Sequence, residues 1–233
     1  MTAKTKRNRN WGIALLMVFS LWTILLRLID VQPLGPNNSK IGFAALNGWF
    51  YRLTGFNEWL YRTTSSLEKC LLGVGLLLLC VLFILFLVSC FQRKNNRRKD
   101  YDLEILPLTI YYVIIVICYL FFEKAVTINY RPILIDGILE PSYPSTTTLI
   151  VLCLTPVLHF HFVRRVKLPL LVKIANIVIV LFCVFMVTGR LVSGVHWATD
   201  IIASVFLSLG LFFLYRAMVI YLDYKKEPSA DGV

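Results

Sequence analysis

Charged residues are scarce in this chain, at 16% of its 233 residues, whereas hydrophobic residues make up 58%. This composition excludes an ordinary soluble domain, in which about a quarter of the residues are charged. The mean hydropathy of +0.73 supports the same conclusion. The sequence therefore predicts a polytopic membrane protein.

Acidic residues are scarcer than basic ones, with 13 against 24, so the formal net charge is +11. A positive balance is typical of nucleic-acid-binding proteins, but these need a basic stripe or face. Here the basic residues fall in short clusters between apolar runs, as in the cytoplasmic loops of membrane proteins. We therefore expect membrane lipids as partners and no nucleic acid.

Histidine is also rare, with three residues, and the six cysteines lie in or beside apolar runs. None of the cysteines has the C-x-x-C spacing of a metal or redox site, and no carboxylate cluster suggests a metal site. We therefore predict no metal and no cofactor. The thiols are expected to behave as small buried apolar groups.

Six apolar runs are predicted as membrane-spanning helices, at about 11–29, 71–91, 105–122, 149–163, 174–188 and 201–222. Basic clusters precede the first run and follow the second, fourth and sixth, and the densest of them covers 93–99. Because such clusters favour the cytoplasm, both termini are placed inside. The predicted fold class is all-α, with six transmembrane helices in a single domain over 1–233.

Residues 32–69 are too polar to span the membrane and are predicted as an extracytoplasmic loop. Within this loop, aromatic side chains over 49–61 are interleaved with arginine. Amphipathic rings prefer the depth of the lipid headgroups. We therefore expect this aromatic segment to anchor the loop at the membrane surface, and a rim for substrate entry is the alternative.

The stretch from Gly189 to Asp200 places three ionisable side chains in an otherwise apolar region. If a helix begins near His196, Asp200 lies one turn later on the same face and can orient the imidazole. Arg190 is expected in the preceding turn. An imidazole with a carboxylate behind it and a guanidinium beside it suits attack on a phosphate. The alternative is an ordinary helix start with an aspartate near its dipole.

Two further polar clusters are predicted at the same face of the membrane. One covers 124–132 after the third span, and the other covers 144–147 before the fourth, where Ser145 is placed to cap the helix. The three clusters can therefore share one site. It would contain fixed cations, a helix N-terminus that favours anions, and a supported imidazole, all of which suit a phosphoryl group.

These clusters carry a family resemblance. The pattern Lys-x6-Arg-Pro at 124–132, Pro-Ser at 144–145 and Arg-x5-His-x3-Asp at 190–200 resembles the signature of the type 2 phosphatidic acid phosphatases, membrane relatives of the vanadium haloperoxidases. The resemblance implies that His196 attacks phosphorus to form a phosphohistidine and that Asp200 orients it, without a metal. It also implies that Lys124, Arg131, Ser145 and Arg190 hold the phosphoryl oxygens. We expect Thr146 and Thr147, which follow Ser145, to bind the phosphate as well.

Two positions depart from the family pattern. Thr147 occupies the place of a histidine that protonates the leaving group, and Gly189 replaces a serine. The second change removes one hydroxyl, whereas the first leaves the general acid unassigned. Four other residues are candidates for that acid: Glu123, Asp136, Glu140 and Tyr143.

The function expected from these residues is a lipid phosphatase in the cell membrane whose site faces the extracytoplasmic side. The short, apolar chain resembles bacterial members of the family, so undecaprenyl diphosphate is the first candidate substrate. The alternatives are a phosphatidylglycerophosphate or phosphatidic acid phosphatase, a lipid phosphotransferase, and a catalytically weak lipid-phosphate binding protein. A transporter is disfavoured because the charged residues lie at the ends of spans. The oligomeric state stays open.

Overall fold

The structure is a computed structural model that describes residues 1–94 and 105–226. Within these ranges the chain forms seven α-helices: α1 (Ala3–Leu28), α2 (Ala44–Thr54), α3 (Glu58–Lys94), α4 (Ile105–Leu120), α5 (Thr146–Arg165), α6 (Pro169–Val192) and α7 (Ala198–Lys226). Helices α1, α3, α5, α6 and α7 are long and apolar enough to cross a membrane, and so is α4 together with the π-helical turn Phe121–Ala125 that follows it. The prediction of an all-α protein with six spans is confirmed.

The first span begins earlier than the hydropathy suggests, because its initial turns are polar. Helix α1 starts at Ala3 rather than near Trp11, and the hydroxyl of Thr2 caps it by accepting a hydrogen bond from the Thr5 amide at 3.2 Å. A hydroxyl at this position satisfies one of the free amides at a helix start. Hydropathy therefore locates the apolar part of the helix and not its end.

The predicted loop over 32–69 is too long. Two short strands, β1 (Gln32–Pro33) and β2 (Lys40–Ile41), pair antiparallel around a turn at Pro36–Asn38, and α2 follows. Helix α3 then begins at Glu58, well before the expected start near Leu71. The polar residues of 58–69 are consequently one part of a transmembrane helix, and several of them face the site described below.

Helix α5 lies at the centre of the bundle. Its most apolar stretch is 61% buried, against 6–39% for the other spans, and it packs against α3, α4, α6 and α7. Helix α1 packs along α7. The outer faces of α3, α4 and α6 expose many leucine, isoleucine and valine side chains, which is the surface that a lipid environment requires.

Buried polar side chains concentrate at one end of the bundle, where α5 and α7 begin and α6 ends. The basic residues Arg164 and Arg165 lie at the opposite end of α5. The basic residues at 95–99, part of the predicted cytoplasmic cluster, lie outside the described residues. Because buried charges are costly unless paired, the polar end is where a functional site is expected.

Candidate active site

His196 lies in the loop between α6 and α7 and is only 4% exposed. Its Nδ1 is 2.9 Å from the Ser142 carbonyl oxygen. A carbonyl can only accept a hydrogen bond, so Nδ1 carries the proton and Nε2 keeps its lone pair. Nε2 is buried and has no hydrogen-bond partner among the described residues. The ring therefore presents a nucleophilic nitrogen.

The electrostatic setting keeps this ring neutral. Burial lowers the pKa of His196 well below its ordinary value, and the positive charges of Arg131 and Arg190 lower it further. The hydrogen bond to the Ser142 carbonyl acts in the opposite direction but is the smaller effect. An unprotonated imidazole is the form that can attack phosphorus.

Asp200 does not contact His196 in the way the spacing predicted. Helix α7 begins at Ala198, so His196 precedes it, and the Asp200 Oδ2 lies 4.0 Å from His196 Nδ1. The fully buried carboxylate instead accepts hydrogen bonds from Asn129 Nδ2 at 2.8 Å and from the Trp197 amide at 3.1 Å. Its negative charge is nevertheless close to the ring, while the Ser142 carbonyl fixes the tautomer.

Arg190 belongs to the last turn of α6 and not to a turn outside the helix, as the sequence had suggested. Its guanidinium is buried and lies over the ring of Tyr61, 5.0 Å from the ring centroid. Nη1 donates hydrogen bonds to Ser65 Oγ at 3.0 Å and Thr64 Oγ1 at 3.3 Å. Helix α3 thus holds Arg190 in place, although the predicted site contained no residue of that helix.

Arg131 is the second buried cation, at 7% exposure. Its Nε lies 3.0 Å from Glu140 Oε2, and its backbone amide also bonds to the Glu140 carbonyl. The Nη1 group is buried without a hydrogen-bond partner in the described chain. Arg131 therefore has a free donor, and its charge acts on both Arg190 and His196.

The start of α5 lies where the sequence predicted a helix N-terminus. Ser145 is the N-cap, as expected: its hydroxyl oxygen lies 3.4 Å from the Thr148 amide and accepts from it. That hydroxyl is fully buried and also donates to Thr148 Oγ1 at 3.1 Å. The amides of Thr146 and Thr147 precede the first intrahelical hydrogen bond, which joins the Leu149 amide to the Ser145 carbonyl, and amides at this position of a helix can bind an anion.

Lys124 occupies a different environment from the other cations. It lies in a π-helical turn, Phe121–Ala125, that ends the third span, and its side chain is exposed. The structure shows no hydrogen bond or ion pair of its ammonium group within the described ranges. Lys124 is thus at the rim, whereas Arg131 and Arg190 are inside.

Glu68 on α3 is a site residue that the sequence reasoning missed. Its Oε2 accepts a hydrogen bond of 2.7 Å from the Thr147 hydroxyl, at the position where the family pattern has histidine. Glu68 also interacts electrostatically with Arg190. A helical interpretation of 58–69 would have revealed a polar face there, because four polar residues follow helical spacing: Tyr61, Thr64, Ser65 and Glu68.

The structure disfavours three of the four residues proposed earlier as substitutes for that histidine. Glu140 is paired with Arg131, and Asp136 lies exposed in a turn. Burial raises the pKa of Tyr143, whose hydroxyl is hydrogen-bonded to Thr23. Glu123 is partly buried in the π-helical turn. Glu68 is the carboxylate that contacts Thr147.

Two cavities lie along α3, the helix that carries Glu68. A polar cleft of about 560 Å³ runs between α3 and the loop at 133–136, and Tyr61 and Ser65 belong to its wall. An apolar groove of about 410 Å³ lies between α3, α4 and α5, lined by Leu72, Leu76, Tyr112, Leu154 and neighbouring residues. Leu72 is one helical turn after Glu68, so the groove begins one turn farther along the helix that carries Glu68.

A comparison with protein families connects this geometry to known proteins. Residues 109–224 match the PAP2 superfamily, a range that includes all three polar clusters. This chain belongs to the PAP2 superfamily. The predicted resemblance is therefore confirmed, and the protein is a membrane lipid phosphatase by family.

A solved PAP2 structure shares the fold. It is described as the first transmembrane PAP2 type phosphatidylglycerolphosphate phosphatase from Bacillus subtilis. The two chains are 20% identical with a TM-score of 0.53, and the alignment covers 94% of this chain and 98% of that chain. No curated protein matches the sequence. At this identity the likeness shows the arrangement of the helices and leaves the substrate to be argued from the site.

Proposed function

We propose that this PAP2 protein removes a phosphoryl group from undecaprenyl diphosphate, or from a related polyprenyl diphosphate, through a phosphohistidine intermediate. The observation that carries the proposal is His196, whose Nε2 is buried and unpartnered while Arg131 and Arg190 supply positive charge nearby. A neutral imidazole in a cationic setting is suited to attack an anionic phosphorus centre.

In the proposed first step, Nε2 of His196 attacks phosphorus in line with the leaving oxygen. Arg131, Arg190 and the free amides of Thr146 and Thr147 hold the equatorial oxygens, and positioning with positive charge is what such a transfer needs. Lys124 adds a cation at the rim and attracts the anionic headgroup.

The ring becomes positively charged as the phosphorus–nitrogen bond forms. Its proton stays on Nδ1, donated to the Ser142 carbonyl at 2.9 Å, and the Asp200 carboxylate 4.0 Å away stabilises the charge. Fixed charges of this kind need no metal, so we propose that catalysis is metal-independent. Activity that persists after treatment with a chelator would support this, and its loss, restored by an added divalent ion, would contradict it.

The apolar groove supports a lipid substrate. Its wall of leucine, isoleucine and glycine accepts a hydrocarbon chain, and it starts one turn from Glu68. Gly75 lies in the wall of this groove and lets α3 approach α5 closely, because a Cβ there would lie 3.2 Å from Leu154 Cδ1. We propose that the groove takes the first isoprene units of the lipid while the headgroup enters the polar cleft.

A diphosphate suits this site better than a monoester because Thr147 replaces a proton donor. A diphosphate releases a lipid monophosphate, an anion whose second pKa is about 6 and which leaves without protonation. A monoester would have to release an alkoxide. A phosphatidylglycerophosphate phosphatase is the second candidate, favoured by the description of the similar solved structure.

We propose that the site faces the extracytoplasmic side. Arg164 and Arg165 lie at the opposite end of α5, and positive residues favour the cytoplasm. Cysteine introduced at Asn38, in the exposed turn before β2, should react with an impermeant thiol reagent in intact cells, and cysteine at Lys167 should not. The reverse pattern would place the site in the cytoplasm.

The direct test of the proposed activity is phosphate release by the purified protein across a panel of lipid phosphates in detergent. The panel contains polyprenyl diphosphate, polyprenyl monophosphate, phosphatidylglycerophosphate and phosphatidic acid. Highest kcat/KM on the polyprenyl diphosphate is expected. Highest activity on phosphatidylglycerophosphate would favour the second candidate, and no release from any lipid would contradict both.

A further inference from the structure

The carboxylate of Glu68 has no part in the mechanism described so far, although it lies inside the site. It comes from α3, is half-buried, and accepts the Thr147 hydroxyl at 2.7 Å where α5 begins. The amides of this same helix start are those that would hold the phosphoryl oxygens. Glu68 is thus placed beside the phosphate position and not at the outer surface.

Glu68 also forms no salt bridge within the described residues. Arg190 is close enough to interact electrostatically with the Glu68 carboxylate, but its Nη1 donates hydrogen bonds to Ser65 and Thr64. Thr147 occupies one carboxylate oxygen, Oε2, and leaves Oε1 available. Glu68 acts as the acceptor in its hydrogen bond with the Thr147 hydroxyl, so the geometry presents a carboxylate that can take up a proton.

We propose that Glu68 is the general base of the second half-reaction, in which water hydrolyses the phosphohistidine. The inference rests on the proposed function, because it needs the covalent intermediate at His196. It assigns to α3 a catalytic residue outside the three polar clusters, and it assigns to Thr147 the role of positioning that base.

The step balances as follows. Glu68 Oε1 takes a proton from water while the water oxygen forms a bond to phosphorus. The phosphorus–Nε2 bond breaks, and its electron pair returns to Nε2, so the ring of His196 becomes neutral with its proton still on Nδ1. Inorganic phosphate leaves, and Glu68 releases its proton to solvent through the polar cleft.

This assignment separates the two halves of the reaction. The first half needs no acid when the leaving group is a lipid monophosphate. The second half needs a base, because water is a poor nucleophile, and general-base catalysis contributes typically about 10²- to 10⁴-fold. Loss of Glu68 should therefore slow the hydrolysis of the intermediate and spare its formation.

The test uses Glu68→Gln in the full-length protein, with Asp223→Asn as the matched control. Asp223 lies near the end of α7, at the opposite end of the bundle, and forms an ion pair with Arg164 at 2.8 Å. Each protein is mixed rapidly with polyprenyl diphosphate labelled with ³²P at the terminal phosphate. The readouts are the first-turnover burst of lipid monophosphate, the steady-state rate, and the label retained on the protein.

Glu68→Gln is expected to keep the burst, to lower the steady-state rate by about 10²- to 10⁴-fold, and to accumulate labelled protein. Asp223→Asn should match the wild type in all three readouts. An unchanged steady-state rate in Glu68→Gln would overturn the proposal. Loss of the burst together with the label would also overturn it, because Glu68 would then act in the first half-reaction or in folding.

Thr147 supplies a second, milder test. Thr147→Val removes the hydroxyl at nearly constant volume and should accumulate label to a smaller extent, whereas Thr147→Ser should restore wild-type behaviour. Equal retention of label by Thr147→Val and Thr147→Ser would contradict the positioning role of the Thr147 hydroxyl. If His196→Gln still forms labelled protein, the proposed nucleophile is wrong; if it forms none while Glu68→Gln behaves as wild type, only the base is wrong.

Discussion

The leaving group of the substrate should control the rate of this enzyme more strongly than the lipid chain does. The hydroxyl of Thr147 donates a hydrogen bond to Glu68 at 2.7 Å, and the carboxylate of Glu68 is the acceptor. Neither group is arranged to donate a proton to a departing oxygen. A change from diphosphate to monophosphate on the same polyprenyl chain therefore changes the requirement for acid catalysis while the chain remains constant.

The size of the effect follows from the two leaving groups. An alkoxide is about as basic as hydroxide, whose conjugate acid has a pKa of about 15.7, whereas a lipid monophosphate has a second pKa of about 6. General acid catalysis contributes typically about 10²- to 10⁴-fold. We expect kcat/KM to be lower for the monophosphate by a factor in this range, with the binding of the chain nearly unchanged.

The assay compares kcat/KM for the two lipids in the same detergent micelles, at several surface concentrations of substrate. Thr147→His should narrow the gap by raising the monophosphate value more than the diphosphate value, since an imidazole at that position can donate a proton. Equal kcat/KM values for the wild type would refute the reasoning. They would show that a side chain does protonate the leaving oxygen.

Three further predictions concern residues that surround His196 or share its loop. Arg131→Gln should move the acid limb of the pH profile of kcat/KM to higher pH. Removing this cation raises the lowered pKa of His196, so the ring loses its nucleophilic form earlier as the pH falls. An acid limb at the wild-type pH would contradict this effect of Arg131. Asp200→Asn should lower kcat by at most about a thousandfold, because charges 4.0 Å apart interact by about 4 kcal/mol at an effective dielectric constant near 20. A larger loss of kcat, or no loss, would contradict this prediction. Gly194→Ala should lower both the midpoint of thermal unfolding and the activity, because Gly194 has φ of +65° and a Cβ there would lie 1.8 Å from the Gly55 carbonyl oxygen. Gly137→Ala is the control: Gly137 has φ of +76° but open space around it, so this variant should lose less stability.

The six spans and their order could be predicted because long apolar runs and clustered charges are properties of local sequence. The N-cap of α5 was likewise predictable, since a hydroxyl residue before an apolar run is a local signal. The ends of the helices were less accurate. Hydropathy does not register polar helical turns, so the starts of α1 and α3 were placed too late and α6 was ended before Arg190.

The site was only partly predictable because its contacts join distant segments. The motif pattern identified His196, Arg131 and Arg190, but it could not show that the Ser142 carbonyl, rather than Asp200, bonds to Nδ1. Glu68 was missed for a related reason. Its partner Thr147 is far away in sequence, and the segment that contains Glu68 was assigned to a loop.

The most direct test of His196 as the nucleophile is phosphate release by purified His196→Gln from polyprenyl diphosphate, compared with the wild type. His159→Gln is the matched control, because His159 lies on α5 near its opposite end and bonds to Asn176. His196→Gln should lose at least about a thousandfold in kcat with an unchanged midpoint of thermal unfolding, and His159→Gln should retain wild-type turnover. Phosphate release by His196→Gln at the wild-type rate would contradict the phosphohistidine mechanism.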